Sequence, residues 1–92
     1  MIVIIKSGPE TVRGKRGLKI ARDMAADVVF IQDGVYFALN EMIEGFCGSA
    51  YAIEDDVKLR GLSGDMRDIK IISWDELTDL MFEDEEGVKG AF

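Results

Sequence analysis

The sequence predicts an α/β fold, a three-layer α/β/α arrangement on a short, mostly parallel four-stranded sheet. Three observations predict it. Four short apolar runs, at residues 2–6, 28–31, 49–53 and 69–72, are continuous rather than alternating, as in strands covered on both faces. Segments of helical spacing separate them, so strand and helix alternate along the chain and right-handed crossovers are implied. A length of 92 residues leaves room for one core, so a single domain over residues 1–92 is expected. The strand order stays open.

Each element has its own signal. After the first strand, Ser7-Gly8-Pro9-Glu10 breaks the chain, and Gly14 and Gly17 are expected to keep the next segment loose. A helix is expected from about Arg16, with Leu18, Ala21 and Ala25 on one line, Lys15, Lys19 and Arg22 on another, and Asp27 at its end. Gln32-Asp33-Gly34 makes the turn after the second strand. A second helix is then expected over 35–46, with Val35, Leu39, Met42, Ile43 and Phe46 as its inward stripe. Its first turn is apolar on nearly every side, which marks Tyr36 and Phe37 as a candidate subunit contact. Glu54-Asp55-Asp56 suits the start of a third helix and Gly61 a left-handed position at its end. A polar stretch over 63–68 precedes the fourth strand. Ser73-Trp74-Asp75-Glu76 reads as a capping box opening a helix that turns Leu77, Leu80 and Met81 inward, with a frayed acidic end and a tail to Phe92 after it.

Composition removes several function classes. The chain has one cysteine, Cys47, and no histidine. Ser-His-Asp and Cys-His catalysis are therefore excluded, and no four-ligand Cys/His zinc site or internal disulfide can form. No cofactor or metal is expected. No apolar run approaches the roughly 20 residues that span a bilayer, and Met1 leads directly into an apolar strand without a basic leader, so a cytoplasmic protein is expected. The net charge of −7 is unevenly laid out: residues 1–22 hold six bases and one acid, residues 23–92 five bases and seventeen acids. Such an acidic chain is a poor general nucleic-acid binder, and direct tRNA binding is not expected.

Ligands of open α/β sheets gather beyond the carboxyl ends of the strands. The first loop there places Ser7, Gly8, Thr11 and Arg13 together, a candidate anion site that matches neither G-x-G-x-x-G nor the Walker pattern. Asp33, Glu54, Asp55 and Asp56 are candidate carboxylates, although turn and cap duties account for each. Cys47 precedes its strand, at the opposite end of the sheet, with Glu44 near and nothing basic close in sequence. A structural thiol is the plainer reading and a reactive one the alternative.

Three stretches together resemble the DsrH/TusB family of DsrE-like sulfur-relay proteins. Residues 28–35, VVFIQDGV, resemble its apolar strand followed by Gln-Asp/Asn-Gly-Val; residues 50–62, AYAIEDDVKLRGL, resemble its Tyr-Ala-Leu, acidic cap and Ala-Arg-Gly-Leu run; residues 71–77, IISWDEL, resemble its last strand and the acidic start of its last helix. The motif positions are thus Gln32, Asp33, Gly34, Glu54, Asp55, Asp56, Arg60 and Gly61. The ending Ala91-Phe92 is also similar. The resemblance implies a DsrEFH-like fold and a subunit of a cytosolic sulfur-transfer assembly, serving tRNA wobble-uridine 2-thiolation or intracellular sulfur oxidation. Its implied partners are DsrE/TusD-like and DsrF/TusC-like subunits, or a second copy in a homodimer. The family's thiol-bearing subunit places cysteine after the third strand, ahead of an Arg-Gly pair; here residues 54–59 fill that interval without sulfur. The resemblance therefore implies a partner subunit with no catalytic residue of its own. Two alternatives stand beside it: a homodimeric anion- or nucleotide-binding module, and a persulfide carrier using Cys47.

Overall fold

The computed structural model describes residues 1–38, 43, 46–62 and 69–92. The order is β1 (Ile2–Ile5), α1 (Val12–Asp23), β2 (Asp27–Phe30), a 3-10 helix (Gln32–Ala38), β3 (Ala50–Ile53), α2 (Glu54–Leu59), β4 (Lys70–Ile72), α3 (Trp74–Glu83) and β5 (Val88–Lys89). The sheet is parallel throughout, in the order β4-β3-β2-β1-β5. It has one strand more than the four that the apolar runs predict. The acidic end and tail supply it: Val88 aligns with Ile2, Lys89 with Val3, and Phe92 donates its N–H to the Ile4 carbonyl at 2.9 Å.

The hand of the crossovers decides which face each helix covers. From β1 to β4 every step moves the same way across the sheet, so right-handed connections stack on one face. There Leu18 and Ala21 of α1, Val35 and Phe37 of the 3-10 helix and Val57 of α2 close over Val3, Ile5, Val28, Phe30 and Ala52. The return from β4 to β5 runs the other way and puts α3 on the second face, where it is the only helix among the described residues. Leu77 packs there with Ile2, Val29, Ile53 and Ile72, and Leu80 against them.

Several local expectations change. Helix α1 begins about four residues early, because Thr11 caps it: its hydroxyl accepts from the Gly14 N–H at 3.0 Å. Gly14 and Gly17 lie inside the helix and are needed for contact. A Cβ on Gly17 would sit 2.7 Å from that of Phe92. Ala25 is not on the inner line; it is an exposed residue with φ of 50° just past the helix, and Ala26 is buried instead. The N–H groups of Ala25 and Ala26 donate to Arg22 and Ala21 carbonyls, the paired bonds that end a helix on a left-handed residue. Asp27 begins β2 rather than ending α1.

The expected second helix is wound as a 3-10 helix in its described part. Gly34 donates to the Ile31 and Lys6 carbonyls, and a Cβ there would lie 2.1 Å from the Ile5 carbonyl oxygen. The turn is thus pressed onto the end of β1 from its start. Ile43 and Phe46 pack against the core as expected; Leu39, Met42 and the polar stretch 63–68 lie outside the described residues. Phe37 is fully buried, its ring stacked on Phe30 at 5.5 Å between centroids. It is a core residue and not a subunit contact. Met81, expected inward, is 39% exposed. The capping box is present as expected.

Two measurements check this packing. Phe37→Ala should cost about 3–5 kcal/mol in urea denaturation, as for a buried aromatic in a core. Ala25→Gly should gain about 1 kcal/mol by relieving the left-handed alanine.

Candidate functional site

The motif residues meet beyond the carboxyl ends of β2 and β3. Gln32 leaves β2 with φ of 48°, a left-handed conformation costly for a residue with a side chain. This turns its N–H toward α2, where it donates to Asp56 Oδ2 at 2.9 Å. Arg60 succeeds the last turn of α2 and reaches back over the same spot. Its Nη2 and Nε donate to Asp33 Oδ1 at 2.9 and 3.2 Å. Its Nη1 donates to the Asp56 carbonyl at 3.3 Å and lies 3.5 Å from Asp56 Oδ1. The guanidinium carbon also stands 6.0 Å from the centroid of the Tyr36 ring. Gly61, with φ of 66°, then turns the chain away. One arginine thereby ties the turn after β2 to the helix after β3.

The other acids stand apart from this lock. Glu54 pairs with Lys58 one turn along α2, which raises the lysine above its ordinary pKa, and Asp55 is exposed. Among the described residues, no three His, Cys, Asp or Glu side chains group together as metal ligands would. The corner presents carboxylates matched by a guanidinium. Its motif residues include no thiol.

The first loop is shorter than expected and is bound up with α1. Thr11 Oγ1 donates to the Gly8 carbonyl at 2.7 Å while capping Gly14. A Cβ at Gly14 would lie 2.4 Å from the Gly8 carbonyl oxygen and 2.8 Å from that of Ser7. Ser7 and Gly8 therefore turn carbonyl oxygens toward the helix, and Arg13 stands exposed on its first turn. Thr11 ahead of Gly14 was the sequence signal for this cap.

Cys47 is exposed in the bend before β3, at the opposite end of the sheet from Arg60. Gly48 beside it packs on the Ala26 carbonyl, and the Ser49 N–H donates to Asp27 Oδ1 at 2.9 Å. The sequence put nothing basic near this thiol. In the fold, Arg22 of α1 stands over the neighbouring Phe46 ring, 5.8 Å from its centroid.

The arginine lock predicts an ordered set of stabilities. Arg60→Ala should cost about 1.5–3 kcal/mol, the range for hydrogen bonds to charged groups. Arg60→Lys should recover little of it, because an ammonium cannot reproduce the planar fork. Asp56→Ala should cost more than Asp33→Ala, since Asp56 also accepts the Gln32 N–H and Asp33 is 64% exposed. Chemical denaturation of the four variants checks the order.

Comparison with known proteins identifies the family and the fold. A family profile described as DsrH-like protein matches residues 10–86. The solution NMR structure of protein Tm0979 from Thermotoga maritima superposes with a TM-score of 0.70 at 31% identity, covering 94% of this chain and 97% of that one. No curated protein matches. With the profile spanning most of its length and a solved relative 31% identical over nearly the whole of both chains, this chain belongs to the DsrH-like family of sulfur-relay-related proteins.

Proposed function

We propose that the chain is a non-catalytic subunit of a sulfur-relay complex, a partner that helps hold a thiol-bearing DsrE-like subunit and carries no sulfur itself. One observation carries this reading: the corner after β3 is filled by Glu54, Asp55 and Asp56, with Asp56 tied to Arg60 and to the Gln32 N–H. A persulfide is an anion, and carboxylates around it raise the cost of holding its charge. Cys47 is a poor substitute for a thiol in this corner. It precedes β3 whereas the acids come after it, and the strand between them, Ala50–Ile53, is about 13 Å long at ~3.3 Å per residue.

The sulfur so handled is destined for 2-thiolation of the tRNA wobble uridine or for intracellular sulfur oxidation. In either pathway the chain acts from the cytoplasm with DsrE/TusD-like and DsrF/TusC-like partners. No described helix is long and apolar enough to cross a membrane.

Two measurements test the proposal. A tagged chain should co-purify with a cysteine-bearing DsrE-like protein, and repeated recovery of the chain alone would count against it. Cys47→Ser should leave the sulfur flux unchanged, read as 2-thiouridine content of tRNA or as thiosulfate consumption, while deletion of the chain lowers it. A persulfide trapped on Cys47 after incubation with a cysteine desulfurase would sink the reading.

A further inference from the structure

Helix α3 carries more apolar surface than its seat on the sheet uses. At about 100° per residue, the side chains of Leu77 and Leu80 point toward the sheet, and Leu77 is 4% exposed. The apolar arc does not stop there. It continues through Met81 and Trp74, past Thr78, to Phe82, which is 86% exposed. Asp75, Asp79 and Glu83 occupy the arc beyond Phe82. A helix lying on one sheet needs an apolar stripe roughly 100° wide, and this one is about twice that. Trp74, Met81 and Phe82 together leave roughly 350 Å² of side chain in solvent, within the range of the largest apolar patch on a typical monomer, which is often functional. On the sheet face under α3, Ile4, Ile31 and Tyr51 are only partly buried.

We propose that this face of α3 is a docking surface for a different protein chain, one that presents an apolar groove edged by lysine and arginine. Charge selects that occupant. Residues 73–87 hold seven acids and no base; Asp84 and Glu86 pair with the Met1 ammonium, which leaves Asp75, Glu76, Asp79, Glu83 and Glu85 to set the charge of this face. Two copies paired about a twofold axis through α3 would set these acids against each other within a Debye length of about 10 Å, where repulsion is little screened. A basic-edged groove meets the same acids with attraction, which speeds encounter and rejects wrong partners. Phe82 is the anchor, an aromatic knob that stands clear of the described residues around it. The proposal rests on the subunit reading only for the biological identity of the partner; the surface stands on its own chemistry.

The test uses synthetic peptides as probes. The isotope-labelled chain is titrated with an amphipathic helix whose leucine stripe is flanked by lysine, and with the same stripe flanked by glutamate. Amide shifts should be confined to α3 and the adjoining strand residues with the lysine peptide, and absent with the glutamate peptide. Affinity should fall roughly tenfold or more in Phe82→Asp, and likewise when salt rises from about 50 to about 500 mM. Because Phe82 is exposed, the remaining spectrum of Phe82→Asp should match the parent and show an intact fold. The proposal is overturned by no binding at about 1 mM lysine peptide, by shifts elsewhere that Phe82→Asp leaves unchanged, or by a dimer of this chain that Phe82→Asp dissociates. A chain that binds the peptide as expected yet has no DsrE-like partner would remove the subunit reading and leave this surface standing.

Discussion

Every β-α-β connection in this chain turns with the same hand, and the distribution of its helices is a result of that constraint. Three successive steps in one direction crowd α1, the 3-10 helix and α2 onto one side of five short strands. The single long return leaves the other side to α3. The first side has a closed core with Phe30 stacked on Phe37. Among the described residues the second is covered by ten residues of helix, about 15 Å of it at 1.5 Å per residue, against a sheet roughly 24 Å wide. The imbalance between the two faces thus comes from topology rather than from any one side chain.

The same topology brings the ends of β2 and β3 side by side, and here a single arginine links them. Asp33 and Asp56 lie on either side of β3, the first in the 3-10 helix and the second in α2, yet both face Arg60. Both carboxylates are held by one guanidinium, which leaves the corner with a net negative charge and makes it a structural joint before it is anything else. Its acidic composition nevertheless determines what the joint leaves out. An arrangement that matches carboxylates with a guanidinium stabilises folding without creating a nucleophile.

Most of the fold was legible because its signals are local. Continuous apolar strands, the Ser73–Glu76 capping box and Gly61 at a helix end each depend on neighbours a few residues away. What could not be read depends on distant contacts. Val88 and Lys89 form a strand only because β1 offers an open edge, and no periodicity in two residues could announce it. Gly14 and Gly17 look like loop residues until the carbonyls of Ser7 and Gly8 and the Phe92 side chain are packed against them. Arg60 was visible as part of a motif, but its partner Asp33 lies 27 positions away. Tyr36 and Phe37 stand out as an apolar excess; Phe37 goes into the core, while Tyr36 stays partly exposed beside Arg60.

The short strand β5 has one further effect. A bare β1 edge, with its run Ile2-Val3-Ile4-Ile5, would offer unpaired backbone groups beside a strongly β-prone segment. Pairing with Val88–Lys89 and the bond from Phe92 to Ile4 close that edge to outside strands. At the other margin the three-residue β4 begins with the exposed Lys70, a charge of the kind that discourages intermolecular sheet extension. The molecule thus guards both rims against amyloid-like growth, one by pairing and the other by charge.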